Sequence, residues 1–121
     1  MANEITSNMT LKVVNGITVT STLNNSSITQ ATAGAVQRRQ SIPTSDTVIT
    51  LTGVTTPGWC TIKNTDATNY VEVGPTSGGA IVKCMQIKAG EQAQFRIAGS
   101  VVLRAIANTG ACIIEVTILE T

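Results

Sequence analysis

The stretch Ala111-Cys112-Ile113-Ile114-Glu115-Val116-Thr117-Ile118-Leu119 decides the fold class. Cys112, Ile114, Val116 and Ile118 fall on one face of an extended chain and Ile113, Glu115, Thr117 and Leu119 on the other, because successive side chains in a strand point to opposite sides. A strand with one wholly apolar face and a second half-apolar one belongs centrally in a sheet or beneath a neighbouring subunit. Parallel sheets also produce such runs, but they need crossover helices, and outside residues 24–35 no capped, helix-length apolar pattern is present.

Working back from this strand, Asn108-Thr109-Gly110 joins it to Val101–Ala107, and Gln92–Ile97 precedes that with Ala93, Phe95 and Ile97 on one side. Lys88-Ala89-Gly90-Glu91 reads as a tight turn, Ala80–Ile87 as a strand, and Gly74-Pro75-Thr76-Ser77-Gly78-Gly79 as a turn or loop. Asn69–Val73, Trp59–Asn64 and Thr47–Thr52 complete this run, and with two further strands near the N-terminus the count is about eight or nine. Their near-regular spacing predicts an all-β, antiparallel β-sandwich, jelly roll or small barrel. Trp59, Phe95, Leu103, Ile114 and Val116 are the expected core.

Composition agrees with that reading. Apolar residues make up 42% of the 121 positions but aromatic ones only 2%, so the core must be built from Val, Ile, Leu and Ala. β-Branched side chains are stiff and suit a pleated surface. A chain of this length buries roughly two thirds of its unfolded surface. Charged residues are 12% and the net charge is +1, about half the usual charged share, so Thr, Ser, Asn and Gln wet the surface. A surface so poor in charge repels its neighbours weakly and suits packing against other subunits.

The first forty-odd residues have a different texture. Residues 1–44 are expected to form an extended polar N-terminal section, an arm and hairpin for docking or oligomer contacts, and residues 45–121 the β-sandwich core, with the boundary near Ile42-Pro43-Thr44-Ser45-Asp46. Leu11–Val14 and Ile17–Leu23 flank Asn15-Gly16, a strong hairpin signal. Ile17, Val19, Ser21 and Leu23 alternate with Thr18, Thr20 and Thr22, the mark of a half-buried strand. Asn24–Ala35 lacks a period and is compatible with a loop, an arm or a short helix. Met1-Ala2-Asn3-Glu4 has no basic n-region, and no apolar run approaches the roughly 20 residues of a membrane span, so synthesis in the cytoplasm is expected.

The chemistry of catalysis is missing. The chain has no histidine, which removes the commonest general base and metal ligand and every Ser-His or Cys-His pair. Acids occur singly, with no spacing that gathers oxygens for calcium. Cys60, Cys84 and Cys112 show no Cys-x-x-Cys spacing; they read as buried reduced thiols, or one of them as a bond between subunits. Gly78-Gly79 precedes a strand without a following Lys-Ser or Lys-Thr, so it cradles no phosphate. No enzyme, cofactor, metal or small-molecule substrate is expected, and no basic stripe points to nucleic acid. Arg38-Arg39 is the doubled charge of the chain; it reads either as a solvated strand or as two cations for an acidic partner surface.

The segment Gly58-Trp59-Cys60-Thr61-Ile62-Lys63-Asn64-Thr65-Asp66-Ala67-Thr68-Asn69-Tyr70-Val71-Glu72-Val73-Gly74 resembles one found in small virion proteins of tailed bacteriophages. Ile87-Lys88-Ala89-Gly90-Glu91-Gln92-Ala93-Gln94-Phe95-Arg96 and Val102-Leu103-Arg104-Ala105-Ile106-Ala107 are similar to the later part of that pattern, with Ala89 where proline is frequent. The resemblance covers about residues 47–119 and rests on turn-and-strand signatures. It implies a virion β-domain, foremost a capsid decoration (cement) protein on the capsid surface, with a phage tail, head-fibre or tail-fibre component as the alternative. A carbohydrate-binding β-sandwich is the remaining reading. The expected partners are the major capsid protein and copies of the chain itself, with no nucleic acid and no membrane. The expected partner-binding residues are Met1, Ala2, Asn3, Glu4, Ile5, Arg38 and Arg39.

Overall fold

The computed structural model describes residues 4–30, 34–98 and 101–120. The described chain is all-β, without a helix, and divides into two compact units, one up to residue 33 and one from Gly34 to Glu120.

The first unit is a long antiparallel hairpin of β1 (Ile5–Asn15) and β2 (Ile17–Ile28). The chain reverses at Gly16, whose φ of 75° is the left-handed conformation that glycine adopts without strain. Val14 pairs with Thr18, Val13 with Val19, and Met9 with Leu23. A two-residue turn at Asn15-Gly16 would instead set Val13 against Thr18. The observed register aligns the apolar odd-numbered positions of both strands on one face, since a one-residue slip sends a strand's apolar set to the other side. Between Ser7 and Met9 the register shifts, so that β2 carries an additional residue and runs on to Ile28. Of Asn24–Ala35, residues 24–28 thus lie in β2 and Ala35 starts the next strand; residues 31–33 are outside the described residues.

The second unit is a β-sandwich, its two antiparallel sheets packed on each other with no barrel closure. One sheet has the order β3-β11-β5-β9, formed by Ala35–Ile42, Cys112–Glu120, Pro57–Asn64 and Gln92–Arg96. The other has β4 (Thr47–Val48), β10 (Leu103–Ala107) and β6 (Val71–Ser77) side by side. Both β7 (Ala80–Ile81) and β8 (Met85–Ile87) then pair with the far side of β6. The compact units divide at residues 33 and 34, whereas the composition changes near 42–46; the intervening β3 belongs to the sandwich because it pairs with β11 over eight residues.

β11 is central in its sheet. Cys112, Ile114, Val116 and Ile118 are fully buried, facing a core that includes Ile42, Ile62, Val71, Val73 and Ala105. Leu103 is buried as expected and Phe95 is half-buried against the same cluster. Trp59 departs from the expectation. Cys60 and Ile62 take the inward positions of β5, so Trp59 lies half-buried on the outer face, where the Arg96 guanidinium stands 5.5 Å from its ring centre. The cation over the ring face is an attractive electrostatic contact.

Thr47–Thr52 forms only two residues of strand, because its backbone is claimed by side chains. Gln40 donates to the Val48 carbonyl and accepts from the Thr50 N–H, and Arg38 donates to the Thr52 carbonyl. Both are inward-facing positions of the edge strand β3, so polar side chains fasten the crossing segment where an apolar pair would leave its carbonyls bare. Asp46 anchors the start of that segment, accepting from the Ile81 N–H and from Arg104.

The expected strand Ala80–Ile87 is interrupted. Val82 N–H donates to Pro75 carbonyl and Cys84 N–H to Val73 carbonyl, leaving residues 82–84 bulged opposite Gly74. A Cβ on Gly74 would stand 1.7 Å from the Val82 carbonyl oxygen, so only glycine fits.

Two stability outcomes follow from this packing. Ile114→Ala should lower the unfolding free energy by about 3 kcal/mol in chemical denaturation, through lost burial and a residual cavity on the central strand. Gly74→Ala should cost at least about 2 kcal/mol in the same measurement despite adding one methyl group, since backbone must move to admit it.

Candidate interaction surface

The expected partner-binding residues are distributed over both units. Met1, Ala2 and Asn3 lie outside the described residues. Glu4 accepts a hydrogen bond from the Gln30 N–H at 3.0 Å, and Ile5, paired with Ile28, is buried. Arg38 and Arg39 are neighbours in sequence but point to opposite faces of β3. Arg38 faces inward to the Thr52 carbonyl, and Arg39 faces outward to Glu115 at 2.8 Å. They do not combine into one cationic patch. The Arg39–Glu115 pair is well exposed and so contributes little to stability.

The most pronounced surface feature is on the hairpin. Met9, Leu11, Val13, Ile17, Val19 and Leu23 share one face of β1 and β2, and Leu11, Ile17 and Val19 expose 78%, 71% and 54% of their surface. The opposite face carries Thr10, Lys12, Thr18, Thr20 and Thr22, with Val14 near the turn. Along β1 the apolar side passes from buried Ile5 and Ser7 through half-buried Met9 to bare Leu11. Alternation in the sequence signals such a face but not whether anything covers it, so the expectation of a half-buried strand is replaced by an exposed one.

The segment Gly58–Gly74 and the one after it supply turns. Asn64, fully buried, donates to the Asn69 and Ile87 carbonyls and accepts from the Asp66 N–H at 3.0 Å. Asp66 in turn accepts from the Asn69 and Thr68 N–H groups. These bonds to the charged form, that from Asn69 foremost, hold its carboxyl below the ordinary value of 3.8. Glu91 closes the next turn on the Lys88 N–H. The Asn-x-Asp corner and the Lys-x-Gly-Glu turn are thus devices for reversing the chain. Among the described residues no three of Cys, Asp and Glu gather as a metal set.

Cys60 and Cys112 are buried and Cys84 is exposed on the bulge, all three as free thiols. Burial pushes the Cys60 thiol up to about 12. Cys112 is raised as well, first by burial and then by the Asp66 carboxylate.

At mildly alkaline pH a thiol-alkylating reagent should add once per native chain, at Cys84, and Cys84→Ser should abolish the fast adduct; intact mass reads both. For Asp66 the folded carboxyl ionises more readily than the unfolded one. Its stabilisation is therefore complete above the ordinary value of 3.8 and declines as pH falls through and below it. Asp66→Asn should flatten that acid limb of thermal stability while leaving neutral folding cooperative.

No family model matches this chain, and no curated protein or solved structure matches it.

Proposed function

We propose that the protein is a non-enzymatic structural component of a tailed-phage virion, a capsid decoration (cement) protein that binds the outer capsid surface in many copies. The observation that carries this reading is the hairpin Ile5–Ile28, whose two strands bear a bare apolar ladder and a single ionisable side chain, Lys12. Such a build suits attachment, since a two-stranded ribbon gains stability by packing on something else. The resemblance of residues 47–119 to virion β-domains adds to it. So does the sequence's lack of histidine, which removes the commonest general base of catalysis.

The physics of cement needs little from each contact. A small β-domain astride the joint between capsid subunits buries modest area, and neighbouring copies add avidity without new chemistry. The N-terminal section and one sheet edge are the proposed contacts with the major capsid protein and with further copies. Carbohydrate recognition is disfavoured: Trp59 and Phe95 lie on opposite faces of their sheet, and Tyr70 precedes a strand of the other, so no aromatic platform forms.

Purified protein added to particles that lack it should bind at on the order of hundreds of copies per particle, by quantitative gel, and raise the particles' resistance to heat. Binding of a few copies at one vertex would overturn the decoration reading in favour of a tail or fibre component.

A further inference from the structure

We infer that the apolar face of the hairpin is a self-association surface, closed by the same face of a second copy of this chain. The inference deepens the part of the proposed function that has copies of the chain touching, and rests on it only there.

Three observations select a copy as the occupant. The face has no charge for a partner to recognise: Lys12, the one ionisable side chain of β1 and β2, pairs with Thr20 on the opposite side. With a net charge of +1, a second chain brings no significant repulsion. The area is also sufficient. Leu11, Val13, Ile17, Val19 and Leu23 each expose between 43% and 78% of their surface. At roughly 100 Å² of apolar surface apiece, they offer on the order of 500 Å² per chain. Two facing copies would then remove on the order of 1,000 Å² from water, the size at which specific interfaces begin.

The relief of the ladder is the third observation. Leu11, the most exposed apolar side chain of the ladder, stands directly opposite Ser21, the smallest residue in it. A two-fold axis through the face places the Leu11 knob of one copy over the Ser21 gap of the other, and the reverse. That reciprocity is what an isologous interface requires. Two stacked ribbons then make a four-stranded, two-layer sandwich, in which each supplies the cover the other lacks.

The test uses the free full-length chain, so its outcome is independent of whether the protein coats a capsid. Sedimentation equilibrium at on the order of 100 μM should give at least twice the 12.6 kDa chain mass. Leu11→Thr with Val19→Thr places β-branched strand formers at both positions but puts hydroxyls into the interface. It should weaken association at least about tenfold, whereas Thr10→Ser with Thr20→Ser on the opposite face should leave it unchanged. To guard against simple loss of the hairpin, Leu11→Cys chains are mixed with Ser21→Cys chains, both carrying Cys84→Ser, and oxidised with glutathione disulfide. A disulfide-linked heterodimer is expected. A monomeric wild-type chain, an oligomer indifferent to the Leu11 and Val19 changes, or absence of the mixed disulfide would each overturn the inference.

Discussion

Everything in the sandwich depends on β11 being apolar and paired along both sides. Cys112, Ile114, Val116 and Ile118 point into the core without exposure, while the same strand's backbone is shared between β3 and β5. With so few aromatic side chains in the sequence, no single large anchor can organise the core. The aliphatic ladder supplies its apolar area by repetition. Small partners across the sandwich, Ala105 and Ala107 on β10, match a core assembled from compact, branched side chains.

The strand pattern was legible because the inward face of each main strand alternates cleanly. β11 and β10 could be read directly from Cys112–Ile118 and Leu103–Ala107. Trp59 could not, since both phases of Trp59-Cys60-Thr61-Ile62 offer an apolar choice. The heavier residue suggests the core, yet Cys60 and Ile62 fit the space between the sheets and the indole packs under Arg96 outside. The segment Thr47–Thr52 looks like a strand by composition but exchanges its ladder bonds for Gln40 and Arg38. Side chains distant in sequence determine that outcome, and a local pattern does not contain them. The bulge at 82–84 is marked only by Gly74, eight or more residues earlier, and its reason is a clash visible in three dimensions.

The surface was less legible than the core, for a reason of the same kind. The doublet Arg38-Arg39 reads as a concentration of charge, but a strand sends adjacent side chains to opposite faces, so one turns toward the Thr52 carbonyl and the other meets Glu115. On the hairpin, the alternation of Ile17, Val19 and Leu23 against threonine gives the faces correctly. What the pattern lacks is the pairing register, and the register gathers apolar positions of both strands into one ladder. The exposed apolar face is therefore a product of the pairing more than of any single residue type.

The bulge opposite Gly74 has a consequence for how such molecules coexist when crowded. It divides the outer rim of its sheet into β7 and β8, two and three residues long, and the other rim of that sheet is the two-residue β4. A free rim of backbone donors and acceptors is a template for strand-to-strand polymerisation. Interrupting it with residues that turn aside denies an incoming chain a continuous run to copy. Molecules of low charge, held close together, can thus remain discrete, with lateral growth into fibrils blocked at that sheet by geometry in place of electrostatic repulsion.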